Sequence, residues 1–288
     1  MKRKNAKHAR FSVFYYFLIS YIIVLALLII VGSISYAISF KIAQNQNESY
    51  NVALLRQARQ AIDNKMLNVN ETMLNLALDS KVSKLIHVNQ PLDYNDIYLM
   101  YETVQRVSNN NNACSFIDDI YIYFKNSECI IGKSGKYDPN LFYNNFVRYE
   151  DIDYADWLYV LNTYSGKNII SEQRNNVLNK DVITLTQSLP LDRKNIALGN
   201  IITIIDSAEI EEALSSINTV DGFVYVYDND SNLPIFSKGN QKLSTDIPEP
   251  MMLDDTYFNQ AGIFYFNANG NKLCIIKSNT DFNIIRQV

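Results

Sequence analysis

Between Arg10 and Lys41 the chain carries no charged residue: FSVFYYFLISYIIVLALLIIVGSISYAISF. A transmembrane helix needs roughly 20 apolar residues, whereas the apolar region of a cleavable signal peptide runs to about 15 at most. Residues 11–40 therefore predict an uncleaved signal anchor, with cleavage near Ser35 and Ala37 as the alternative. From Lys41 to Asn89 there is neither proline nor glycine, and Leu55, Ala58, Ile62, Met66, Val69, Met73 and Leu76 recur in steps of three and four. That spacing predicts one long amphipathic helix over 41–90, its polar side carrying Arg56, Gln57, Arg59, Gln60, Asp63, Asn64 and Lys65. Such a helix serves as a signalling stalk and dimer seam, or lies against its own domain.

Pro91 ends this helix, Asp93 and Asp96 open a second amphipathic one through Val107, and the asparagine run 109–112 is expected to break it. In IDDIYIYF the alternation sets Ile120, Ile122 and Phe124 on one strand face and Tyr121 and Tyr123 on the other. A turn about Asn126 returns the chain through 128–132, and KSGKYDPN reads as a loop. Short helices are expected over 141–146 and 154–164, the second holding Trp157, then strands over 168–171, 181–189 and 198–206. Ser207 reads as the cap of a helix rich in Glu209, Glu211 and Glu212. A smaller β set follows at 223–228, 233–237, 263–267 and 272–278, with an Asp228–Asn232 turn between the first two and a tight NANG turn between the last two. The final DFNIIRQV reads as the start of a further strand, so the polypeptide is expected to be a truncated form of a longer protein.

The fold class that follows is α+β: an N-terminal transmembrane helix, a long amphipathic helix and two PAS-like antiparallel-sheet modules. The expected division is a basic stub over 1–10, the anchor over 11–40, the stalk over 41–90, a membrane-distal module over 91–206 and a membrane-proximal one over 207–288.

Charge settles the expected orientation. The stub holds Lys2, Arg3, Lys4, Lys7 and Arg10 and no acid, and positive flanks stay in the cytoplasm. Setting those five aside leaves 21 of the 26 Lys and Arg against 30 Asp and Glu, so residues 41–288 are expected outside the cell as an acidic domain. Nucleic-acid binding by that portion is excluded on the same ground. With 48% hydrophobic residues, 20 Tyr, 14 Phe and a single Trp, the chain is globular rather than disordered. Cys114, Cys129 and Cys274 are an odd number, and a hairpin about Asn126 places Cys129 opposite residue 124, with Cys114 too far along the ladder to bridge to it; three buried or free thiols are expected.

Catalytic chemistry has few candidates. The only histidines are His8 and His87, on opposite sides of the expected membrane, which excludes a His-based triad or a zinc site. The acid pairs Asp118/Asp119, Asp153/Asp156 and Asp254/Asp255 read as solvated loop and strand-edge charges rather than glycosidase carboxylates or calcium ligands. The 228–232 turn lacks the glycine and bidentate glutamate of a calcium loop, and no nucleotide-binding glycine cluster or nucleophile elbow occurs. No enzyme activity, cofactor or metal is expected.

The stub with its apolar run, the segment IDDIYIYFKNSECIIGKSGKYDPNLFYNNF, the helix DYADWLYVLNTYSG and the junction GNIITIIDSAEIEEAL together resemble the double-Cache extracytoplasmic sensors. In texture the chain is similar to membrane-anchored AraC-type transcriptional regulators of Gram-positive bacteria, and next to sensor histidine kinases. The resemblance implies a ligand against the membrane-distal sheet, near Tyr121, Tyr123, Arg148, Trp157 and Tyr159, where rings and one base would hold a sugar or small carboxylate. Each of these residues also has an ordinary reading, Trp157 as core and the tyrosines as strand formers. The amino-acid-binding subfamily has Arg two places before the Trp and Tyr directly after it; Ala155 and Leu158 stand here, which argues against amino-acid recognition. The expectation is therefore a membrane-anchored homodimeric sensor of a small ligand outside the cell, set against a structural or adhesive protein without a ligand.

Overall fold

The computed structural model describes residues 5–192, 196–215, 223–227, 234–239, 262–268 and 271–277. The chain divides into two compact units, Met1–Ala53 and Leu54–Val288. Helix α1, Asn5–Ala77, contributes to both. In the first unit its stretch Phe14–Gln46, 33 residues with none of its most apolar window buried against protein, is long and apolar enough to cross a membrane.

In the second unit the α1 stripe is buried as its spacing predicts: Ala58, Ile62, Met66, Val69, Met73 and Leu76 are all core residues. The helix ends at Ala77, short of the predicted Pro91. Asp79 is the reason. Its carboxylate accepts the Lys81 N–H at 2.7 Å and caps a separate short helix, α2 (Ser80–Leu85). Helix α3 (Tyr94–Ala113) opens on the expected capping box, Asp93 and Asp96 each holding the other's backbone N–H. It runs on through the asparagine run instead of breaking there, with Asn110 bonding back to the Arg106 carbonyl at 2.9 Å within the helix.

The strands β1 (Asp119–Phe124), β2 (Cys129–Gly132), β3 (Gly135–Tyr137), β4 (Lys167–Asn175), β5 (Lys180–Leu189) and β6 (Gly199–Asp206) form one antiparallel sheet in the order β3-β2-β1-β6-β5-β4. The first hairpin has the predicted register, Phe124 opposite Cys129. Cys114 and Cys129 are free and buried, while the Cys274 side chain lies outside the described residues. Strand β3 occupies the segment expected as a loop; at three residues, pairing Tyr137 with Ile130, it is too short to leave a periodic signal. Strand β4 outruns its predicted 168–171 and carries a bulge between Ile170 and Gln173, which spoils its alternation.

Period-two alternation gives the sheet two unlike faces. One, with Ile120, Ile122, Phe124, Ile131, Ile183, Leu185, Ile201 and Ile205, packs against α1, α2, α3 and α6 (Ser207–Ala213) in the main core. The hairpin β7 (Phe223–Tyr227) with β8 (Pro234–Gly239) adds Ile235 and Phe236 to that same core. A second hairpin, β9 (Gly262–Ala268) with β10 (Asn271–Lys277), falls where the smaller β set is expected. The predicted Asp228–Asn232 turn and the closing DFNIIRQV lie outside the described residues.

The end of the sheet is pinned by charge. Lys180 Nζ reaches Asp118 and Asp206 at 3.0 Å each, and Asp206 also caps α6 by accepting the Ala208 N–H at 2.9 Å. Glu209 on α6 in turn meets Lys65 on α1 at 3.0 Å.

Candidate ligand-binding face

The other sheet face presents Tyr121 and Tyr123 from β1, Ile130 from β2, Val182 from β5, and Ile202 and Ile204 from β6. What covers it is set by two aspartate caps. Asp138 accepts the Asn140 and Leu141 N–H groups at 2.9 and 3.0 Å and starts α4 (Pro139–Phe142), with proline at its first turn. This helix passes directly into a π-helical turn, Tyr143–Val147, closed by the Arg148 N–H on the Tyr143 carbonyl at 2.7 Å. The wider turn keeps Phe142, Tyr143 and Val147 all buried against the sheet, with Phe146 partly so. Asp153 accepts the Asp156 N–H at 2.8 Å and starts α5 (Tyr154–Asn162), which drives Trp157 and Leu161 down onto the strands.

The result is a continuous aromatic layer. Tyr121 meets the edge of Phe142 with ring centres 4.5 Å apart, and Phe142 stacks on Phe146 at 5.5 Å and on Trp157 at 6.1 Å. Tyr143, Tyr154 and Trp157 close a triangle with centres 5.3, 5.8 and 6.2 Å apart, their planes mutually tilted. The polar groups of the layer are mostly engaged. The Tyr123 hydroxyl donates to Asn162 Oδ1 at 3.3 Å, the Tyr143 hydroxyl to the Ile152 carbonyl, Asn200 Nδ2 to the Leu161 carbonyl, and Tyr149 shares a hydrogen bond with Thr184. Trp157 Nε1–H, fully buried, has no partner among the described residues.

Burial shifts the phenols. Tyr121 and Tyr149 are held far above the usual tyrosine range by loss of water, Tyr121 further by the neighbouring Asp119 carboxylate. Tyr123 is also raised by burial, its bond to Asn162 acting the other way.

Of the residues singled out in the sequence, Tyr121, Tyr123 and Trp157 come together in this one buried layer. Arg148 stands at the end of the π turn with its side chain exposed, close enough for its charge to act on the Tyr143 phenol. Tyr159 is not brought in. It is 70% exposed, since two residues along a helix from Trp157 is about 200° around its axis. The sequence reading missed Phe142, Tyr143, Phe146, Tyr149 and Tyr154. The signal for two of them was present in the aspartate caps DPN and DYAD, which fix where each covering helix begins.

A separate half-open hollow of about 320 Å³ lies between α1 and the α3–β1 junction, lined by Lys65, Asn68, Glu71, Thr72, Asn75 and Ser115 among others. Its cation is already used, by Glu209 and by the Phe116 ring 4.7 Å away. Among the described residues no group of three His, Cys, Asp or Glu is placed to hold a metal ion.

No family model and no curated protein matches the chain. Several solved structures align with most of the chain. The sensory domain of the Campylobacter jejuni chemoreceptor Tlp3 with isoleucine bound is 12% identical, over 78% of this chain and 84% of that one, with a TM-score of 0.45. The ligand-binding domain of the Pseudomonas aeruginosa amino acid chemoreceptor PctC with GABA is 13% identical, over 77% and 89%, at 0.41. The extracellular domain of soHK1S-Z6, provisionally assigned as a histidine kinase, is 15% identical, over 78% and 86%, at 0.47.

Proposed function

We propose that residues 41–288 are the extracytoplasmic ligand-sensing region of a bacterial transmembrane signalling protein, anchored by the helix over 11–40. The observation that carries this reading is the aromatic layer on the sheet face turned away from α1, with a buried indole N–H that has no acceptor among the described residues. A small organic ligand entering there supplies the missing acceptor, and a layer of tilted rings repacks around it. The opposite face of the same strands is the core shared with α1 and α6, so a shift of β1 or β6 is felt by the helix. A ligand moves such an equilibrium only by its difference in affinity for the two arrangements.

The reading is of a binding module rather than an enzyme, supported by the presence of only two histidines and by a sequence without a nucleophile elbow. By its resemblance to double-Cache sensors the output belongs to an AraC-type transcriptional regulator, with a sensor histidine kinase as the second reading. A homodimer is part of the proposal, supported by Leu67 and Leu74, which stand exposed on the side of α1 opposite its core stripe.

Side-specific labelling tests the topology. A membrane-impermeant amine reagent applied to intact cells should modify the exposed Lys84 and Lys136, while Lys2, Lys4 and Lys7 react only after lysis. The reverse pattern would sink the extracytoplasmic reading.

A further inference from the structure

The hollow of about 320 Å³ between α1 and the α3–β1 junction shares no residue with the aromatic layer. Its volume falls at the lower end of small-molecule sites, about 300–1,000 Å³. Asn68, Glu71, Thr72 and Asn75 follow one another at helical steps along α1, so a single helix face supplies them, beside the core stripe of Met66, Val69, Met73 and Leu76. Residues 113–116, where α3 gives way to β1, supply the other wall.

Most polar side chains of this lining are unpaired. Asn68, Glu71, Asn75 and Ser115 make no side-chain hydrogen bond or ion pair among the described residues. Thr72, buried, donates its hydroxyl proton to the backbone carbonyl of Asn68 at 2.8 Å, so its oxygen is left only to accept. Each amide both donates and accepts, Ser115 does either, and ionised Glu71 only accepts. A ligand that answers this lining has to donate and accept at several points.

Charge removes the ionic alternatives. The cation of the hollow, Lys65, is held by Glu209 at 3.0 Å and lies 4.7 Å from the centre of the Phe116 ring. An anion entering would meet Glu71 with no unpaired base in the lining to offset it. A cation would meet Lys65 on the same wall, and its one carboxylate partner, Glu71, is exposed, where an ion pair contributes little. An α-amino acid carries its charges on adjacent groups, whereas Lys65 and Glu71 are six positions apart, roughly 9 Å along the helix axis. Hydroxyl groups fit: each donates and accepts, and none is charged.

We infer that this hollow is a second small-molecule site, taking a neutral polyhydroxyl compound of the sugar class, with Asn68 and Asn75 as its principal hydrogen-bonding partners. The site goes beyond the sensing face and does not depend on it. A molecule held there bridges α1 and the start of β1.

Calorimetric titration of the full-length chain in phosphatidylglycerol nanodiscs tests this with glucose, xylose and maltose, and with acetate, ethylammonium and glycine as ionic probes. At least one sugar should bind saturably, in preference to the ionic probes. Asn68→Ala combined with Asn75→Ala should weaken that sugar about tenfold through lost hydrogen bonds, with circular dichroism unchanged because both side chains are exposed. Glu71→Gln, which removes the charge but keeps an acceptor, should change the affinity less than about threefold, and Trp157→Phe should leave it unchanged. Sugar binding lost in Trp157→Phe but intact in the double asparagine variant overturns the hollow as the site while supporting the aromatic face. Preferential binding of ethylammonium that Glu71→Gln abolishes, or of acetate or glycine, overturns the polyhydroxyl class. Flat heats with all three sugars overturn the proposal.

Discussion

Trp157→Ala should lower the free energy of unfolding by about 3–5 kcal/mol, the range for removing a fully buried large aromatic side chain from a core. The indole has no exposed surface and contacts Phe142, Tyr143 and Tyr154, so its loss opens a void that α4, the π turn and α5 can close only by coming off the sheet. Tyr159→Ala, two residues along the same helix but 70% exposed, should stay within about 0.5 kcal/mol of the parent. Urea unfolding of both variants, followed by circular dichroism, makes the comparison. Similar small losses in the two would mean that Trp157 does not anchor the aromatic layer.

Alkaline pH should destabilise the folded unit steeply. The buried phenols of Tyr121 and Tyr149 are held above their unfolded value, chiefly by loss of water, so below about pH 10 both states carry the proton and stability is complete. Above that, the unfolded chain releases protons that the folded chain keeps, and each phenol costs about 1.4 kcal/mol per pH unit. Lys180 adds in the same direction. Burial acts to lower its pKa, but Asp118 and Asp206 outweigh this and raise it, so its contribution is present below the unfolded lysine value and is lost as pH climbs through the folded one. Lys167, lowered to about 8 by burial, acts the other way until about pH 10.5, so melting temperatures should fall progressively only above that, and Tyr149→Phe should flatten the slope while losing the Thr184 hydrogen bond. A melting temperature constant from about pH 10.5 to 12 would show that these phenols titrate as in the unfolded chain.

Much of this architecture is legible in the residues because it rests on periodicity. The α1 stripe, the alternation that sends Ile120 and Ile122 one way and Tyr121 and Tyr123 the other, and the Phe124–Cys129 register all follow from repeats of 3.6 or 2. Where tertiary contacts outweigh local preference the reading fails. Nothing in the composition of 41–89 announces that Asp79 will cap a new helix, and the asparagine run stays helical although asparagine favours caps and turns. The aromatic layer was half visible. The resemblance to double-Cache sensors points to Tyr121, Tyr123 and Trp157, and alternation sets the two tyrosines on one face, but the π turn that keeps Tyr143 and Val147 on that side follows no sequence period. The same resemblance includes Tyr159, whereas helical geometry turns it to solvent.

The central claim is that the aromatic face of the six-stranded sheet takes a small ligand. Thermal unfolding of the full-length chain against a panel of quaternary amines, sugars, carboxylates and amino acids tests it most directly, in parallel with Trp157→Phe, which keeps a ring but removes the N–H. A ligand at 100 times its dissociation constant should add about 2.7 kcal/mol to the parent. The account predicts that one chemical class raises the midpoint and that Trp157→Phe, still folded, loses most of the rise. A rise of the same size in Trp157→Phe would place the ligand elsewhere, and no rise with any class would contradict ligand sensing by this face.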